Sequence, residues 1–162
     1  MLNVIFVCMG NICRSPSGEA VMNRVVEKAG LSDKIKCDSA GTIAYHEGEK
    51  ADSRMQRHAR QRGYDLTSIA RKFRFPDFER FDYIIAMDNA NFVDILALDK
   101  ESEFVSKVSK MMSYSNNFED EEVPDPYYGG PDGFEHVLDL LEDACQGLLE
   151  KIIEDHPEIV ED

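Results

Sequence analysis

Cys8 and Arg14 stand six positions apart in the string Val7-Cys8-Met9-Gly10-Asn11-Ile12-Cys13-Arg14-Ser15-Pro16. A sulfur nucleophile and a planar cation in one short loop suit a tetrahedral oxyanion. The arginine can clamp two of its oxygens through parallel charge-assisted hydrogen bonds. With an apolar strand before the loop and a helix behind it, the loop N–H groups converge and the helix adds the positive end of its dipole. The same field stabilises negative charge on the Cys8 sulfur, and the thiolate is the form that attacks. Ser15 is placed to hydrogen-bond that sulfur and to ease its departure when an intermediate breaks down. The indicated chemistry is attack on phosphorus or on something shaped like phosphate. A metal reading of Cys8 and Cys13 fails, because no second ligand pair accompanies them.

The elements that must position this loop follow from hydrophobic patterning. Residues 2–7, 36–39, 83–87 and 105–111 read as short buried strands. Pro16 suits a first helical turn, and a helical pattern follows over 17–30 with Gly30 as its stop. Asp52 and Asp88 are placed to cap helices running to Gly63 and Leu98. Phe134, Val137, Leu138, Leu141, Cys145, Leu148 and Ile152 recur at helical steps and mark a last amphipathic helix. Alternating strands and helices predict an α/β fold: a four-stranded parallel sheet with helices on both faces and right-handed crossovers. Residues 115–130 form the one long polar loop, a length that often carries function. In a parallel sheet that loop, with Asp125, emerges on the same side as the first one, and a general acid there would have to come within hydrogen-bond reach of the leaving oxygen. Asp125-Pro126 taken alone reads more readily as a turn than as a catalytic aspartate.

Composition bounds the rest. At 162 residues the chain is expected to form one domain, spanning 1–162, and its 43% apolar content opposes a disordered reading. No run reaches membrane-spanning length, and the apolar start is short and lacks the basic flank of a signal peptide. Four cysteines (Cys8, Cys13, Cys37, Cys145) make no secreted disulfide framework, so a reducing cytoplasm is the expected compartment. The net charge of −14 argues against nucleic acid as a partner. Charge is uneven: nine Lys or Arg against four Asp or Glu over residues 50–80, then sixteen acidic residues against Lys151 alone from Ser115 onward. The acidic end reads as a solvated helix face, and the basic stretch could steer an anion toward the loop.

The loop from Val7 to Pro16, Asp38-Ser39-Ala40, Phe81-Asp82-Tyr83-Ile84 leading to Met87-Asp88, and Asp125-Pro126-Tyr127-Tyr128-Gly129 together resemble the low-molecular-weight protein tyrosine phosphatases over nearly the whole chain. The resemblance implies a flavodoxin-like sheet and two-step phosphoryl transfer. Cys8 attacks the ester to give a phosphocysteine while Asp125 protonates the leaving phenolate; Asp125 then activates water. It implies that Met9, Gly10, Asn11, Ile12 and Cys13 line the phosphate site, and that Tyr45, Tyr127 and Tyr128 wall a slot for an aryl ring. Asn11 is the implied brace of the loop, held by Ser39, and Ser68 stands where the family carries a further bracing histidine. Cys8 and Cys13 are the implied redox pair, forming a reversible disulfide that protects Cys8.

No cofactor or metal is implied, and the implied partners are phosphotyrosine-containing proteins or small aryl phosphates, with inhibition by phosphate-like oxyanions. A monomer is expected, with weak self-association left open. Of the rivals, an arsenate reductase needs a downstream cysteine pair, whereas only Cys145 follows Cys37. Protein-arginine phosphatases tend to carry threonine where this chain has Ile12, and to lack the tandem tyrosines. A silent phosphate-binding module is opposed by the intact Cys8, Arg14, Ser15 and Asp125. Cys37 and Cys145 read as core residues, and His46 and His58 as histidines without an evident partner.

Overall fold

The run from Val4 to Val7 has no polar position to leave outside, so the first strand must be covered on both faces. The computed structural model, which describes residues 1–126 and 129–161, shows that it is. Strand β1 (Leu2–Cys8) pairs in parallel with β2 (Ile35–Gly41) on one side and β3 (Tyr83–Ala86) on the other. With the short edge strand β4 (Val108–Lys110), the order is β2-β1-β3-β4. Val4 stands between Cys37 and Tyr83, and this register carries Val7 to Ala40 and Ala86.

Helices lie on both faces, as expected. Val4 and Phe6 pack into one cluster with α1 (Arg14–Lys28) and α5 (Gly130–Asp155). Ile5 and Val7 pack into the other with Phe73, with Phe78 of α3 (Asp77–Arg80) and with Ile95 of α4 (Asn89–Leu98). The remaining helix, α2 (Ser53–Gln61), lies against α5. Since the chain leaves β1 for β2 and later returns to the other side of β1 as β3, the sheet has a switch point there. Such a point opens a crevice beyond the strand carboxyl ends, where the Cys8 loop emerges.

Local signals explain most boundaries. Asp52 accepts from the N–H groups of Arg54 and Met55 at 2.9 and 3.1 Å, and Asp88 from that of Asn91 at 2.7 Å, so both cap as expected. Helix α1 begins at Arg14, before Ser17, with Pro16 inside a first turn, where its missing N–H breaks no intrahelical hydrogen bond. It ends before Gly30, at φ +73°. The fourth strand is shorter than the apolar run predicts: Val105–Lys107 forms a 3-10 turn and only Val108–Lys110 pairs, on β3 alone. Its neighbour on the open side is solvent, so Val105, 45% exposed, has no layer to enter. The polar segment after Tyr114 is tied to α5 through Asp143, which accepts from Ser115, Asn116 and Asn117. Further on, Val123 N–H donates to the Met87 carbonyl at 2.9 Å, which pins this segment beside the end of β3.

Helix α5 approaches the 3-10 turn Met111–Tyr114 so closely that a Cβ on Gly147 would lie 1.8 Å from the Tyr114 carbonyl oxygen. Backbone cannot swing aside as a side chain can. Gly147→Ala is expected to lower stability by about 1–3 kcal/mol or more, read as a lower urea midpoint. An unchanged midpoint would mean that the helix and turn do not pack this tightly.

Candidate active site

Between Cys8 and Arg14 the chain reverses around Asn11, whose φ of +58° is left-handed. For a residue with a Cβ that conformation costs about 1–2 kcal/mol, so something must hold it. The Asn11 side chain does so: its Nδ2 donates to Ser15 Oγ at 2.8 Å and its Oδ1 accepts from the Arg71 N–H at 3.0 Å. Three loop carbonyls are held from outside, Cys8 by Thr42, Met9 by Ile43 and Ile12 by Asp52. The Asn11 N–H points the other way, at Cys8 Sγ, 3.2 Å distant. Ser15 Oγ lies 3.0 Å from the same sulfur and also 3.3 Å from the Ala40 carbonyl. With Asn11 donating to it, its one proton can go to either. Gly41 lets the loop sit on β2, since a Cβ there would meet the Met9 oxygen at 2.6 Å.

Arg14 is buried and fixed from behind. Its Nη1 donates to Asp88 Oδ2 at 2.6 Å and to the Val123 carbonyl at 3.1 Å, so the anchoring uses one nitrogen of the fork. Asp88 therefore serves both the α4 cap and the arginine. Burial works against the Arg14 charge, but Cys8, Asp88 and Asp125 outweigh it and push its pKa above the ordinary value. Cys13 behaves oppositely: burial, then the nearby Asp52, Cys8 and Asp125, drive its pKa far up, so it stays a thiol. Cys8 and Cys13 are both free thiols.

A cleft of about 260 Å³ opens over the loop. Cys8, Met9, Gly10, Ile12, Cys13 and Arg14 of the loop line it together with Tyr45 and Asp125, so the structure gathers most of the residues the sequence singles out. Asn11 and Ser15 lie buried behind the loop. Tyr45 is 81% exposed and stands at the rim rather than inside. Tyr127 and Tyr128 lie outside the described residues.

Three expectations need revision. Ser39 does not brace Asn11; its buried hydroxyl closes no hydrogen bond among the described residues, and Ser15 and the Arg71 backbone take that role. His46 has a partner, Glu49 at 2.9 Å, and lines the cleft, lying so close over Gly10 that a Cβ there would come within 3.0 Å of its ring. His58 bonds Glu135 at 2.5 Å and stacks on Phe134, a structural link between α2 and α5. Ile43 also lines the cleft and carried no distinguishing signal beyond lying near Tyr45. Cys145 is fully buried and Cys37 packs at the core edge, as expected.

A parallel α/β sheet with a cysteine-and-arginine loop at its switch point, under a partly apolar cleft, defines a class of anion-handling protein. The sequence model of the low molecular weight phosphotyrosine protein phosphatases matches residues 3–158, and the chain belongs to that hydrolase family. A Synechocystis protein provisionally named a low molecular weight protein-tyrosine-phosphatase is 52% identical over 91% of this chain and 94% of its own length. A low molecular weight protein-tyrosine-phosphatase of Streptomyces coelicolor is 44% identical over 93% of each. The crystal structure of a protein tyrosine phosphatase from Entamoeba histolytica, with Hepes in its active site, superposes with a TM-score of 0.93. It is 48% identical and covers 96% of this chain and 99% of that one.

Two substitutions separate the parts of the Asn11 brace. Asn11→Ala loses both hydrogen bonds and keeps the left-handed strain, whereas Asn11→Gly loses the bonds alone. Thermal or urea unfolding is expected to show a loss of about 2–4 kcal/mol for alanine, with glycine recovering about 1 kcal/mol of it. Equal losses would mean that the backbone conformation at Asn11 carries no strain.

Proposed function

We propose that the protein hydrolyses phosphotyrosine and small aryl phosphates through a phosphocysteine at Cys8. The observation that carries this reading is the convergence of Ser15 Oγ and the Asn11 N–H on the Cys8 sulfur in a cleft that also holds Arg14 and Asp125. In the first step an S–P bond forms as the ester P–O bond breaks, and Asp125 gives its proton to the leaving oxygen. Arg14 and the loop N–H groups hold the equatorial oxygens, where charge is spread in the transition state. In the second step water attacks phosphorus, its proton passes to Asp125 and the S–P bond breaks. Ser15 turns its proton from the Ala40 carbonyl to the departing thiolate. Inorganic phosphate and similar oxyanions occupy the same cradle and inhibit.

Ile12, Ile43 and Tyr45 favour an aromatic leaving group, because they give the cleft an apolar wall above the anion site. A phosphoguanidino group would leave its charge against that wall. Oxidation of Cys8 would be captured by Cys13, although burial of the Cys13 thiol opposes formation of its thiolate and slows the closure. Among the described residues, no helix is long and apolar enough to cross a membrane.

Turnover of p-nitrophenyl phosphate tests the assignment. Cys8→Ser is expected to abolish it, and Asp125→Asn to lower kcat about 10²–10⁴-fold. Retained activity in the serine variant would remove the mechanism.

A further inference from the structure

The segment just before Asp125 is tied to the end of β3 and to the start of α4. Glu122 Oε2 accepts from the Asn89 N–H at 2.8 Å, the Val123 N–H donates to the Met87 carbonyl at 2.9 Å, and Arg14 Nη1 donates to the Val123 carbonyl at 3.1 Å. Asn89 is the first residue of α4, so its N–H is one of those a helix leaves without an internal partner. Asp88 takes another, that of Asn91, and holds Arg14 with its second oxygen. A closed ring results, from Arg14 through Asp88, the first turn of α4, Glu122 and Val123 back to Arg14. Because Arg14 offsets the charge of Asp88, a second carboxylate can share the positive end of the α4 dipole.

From this ring to Asp125 the chain is stiff. Val123 is fully buried, and Asp125 lies between Pro124 and Pro126. Proline fixes its own φ and biases the residue before it toward extended backbone, so Val123, Pro124 and Asp125 have few soft torsions among them. A shift at residues 122–123 is passed on to Asp125 rather than absorbed. The links through Val123 are made by its backbone, and one of them comes from the guanidinium that also takes the anion. Glu122 supplies a side-chain link that does not depend on that guanidinium.

We propose that Glu122 is a positioning residue for the general acid, latching the Asp125 segment to α4 so that Asp125 stands where it can protonate the leaving oxygen. Glu122 itself moves no proton and touches no reacting atom. Its hydrogen bond to Asn89 is exposed, so water competes for it and the expected effect is a few-fold one.

This inference rests on Asp125 acting as the general acid of an aryl phosphatase, and its test separates the two. The kcat/KM, which covers the steps up to departure of the phenolate, is measured for phenyl phosphate and for dinitrophenyl phosphate. The first leaving group needs a proton, whereas the second departs readily without one. Glu122→Ala is expected to lose about two- to ten-fold with phenyl phosphate and less than about two-fold with dinitrophenyl phosphate. Glu122→Gln, whose amide oxygen still accepts from Asn89, is expected to recover most of that loss. In an Asp125→Asn background, Glu122→Ala is expected to cost nothing more, because the group it positions has gone. No loss, equal losses with the two substrates, a glutamine variant as impaired as alanine, or an undiminished effect in the Asp125→Asn background overturns the proposal. Asp125→Asn alone tests the reading beneath it. A larger loss with phenyl phosphate than with dinitrophenyl phosphate supports the acid at Asp125 whatever Glu122 does. An equal loss with both removes that assignment and the proposal with it.

Discussion

The hydrogen-bonded support of one left-handed residue, Asn11, governs this structure. The turn it makes brings Cys8 at a strand end to within 3.0 Å of Ser15 in a helix. The brace is distributed over the sequence: Ser15 from α1, the Arg71 backbone from the stretch after α2, and the small profile of Gly41 at the end of β2. Each of these must be in place before the loop can hold its shape. The proposed anion cradle is therefore a product of the assembled fold, not of the loop sequence by itself.

The surrounding architecture keeps that network dry and fixed. Two apolar clusters cover the faces of β1, so the strand that delivers Cys8 cannot shift without disturbing both. Arg14 enters the same interior with a charge, and Asp88 offsets it through a 2.6 Å ion pair while its other oxygen caps α4. Removing one member of such a pair leaves the other buried and uncompensated, which costs more than the pair contributes. The Asp125 loop is coupled to the same point, because the Val123 carbonyl accepts from Arg14 and its N–H reaches Met87. The candidate nucleophile, clamp and acid thus share one frame at the switch point of the sheet.

Much of this was legible in the residues. Strong apolar runs mark β1 and β3, Asp52 and Asp88 announce their helices, and the spacing of Cys8 and Arg14 marks the loop after β1 as the candidate site. What escaped depends on tertiary neighbours. The apolar run 105–111 overstates β4, since its length does not reveal that the strand lies at an edge with one partner. Ser39 has the right type for a brace, yet its hydroxyl closes no hydrogen bond among the described residues, because hydroxyl direction is set by register rather than by composition. His46 showed no partner in sequence because the loop that brings it over Gly10 is irregular, and irregular backbone has no period to read. Asp88 was legible as a cap but not as the anchor of Arg14, a contact across 74 positions.

The central claim is that the braced loop makes Cys8 the atom that receives the phosphoryl group. The most direct measurement is a rapid denaturing quench during turnover of an aryl phosphate, followed by mass mapping of the peptides. A single phosphoryl group on the peptide that contains Cys8, at its sulfur and nowhere else, is the predicted result. Steady hydrolysis with no covalent adduct, or with the adduct on Cys13 or another side chain, would contradict the account.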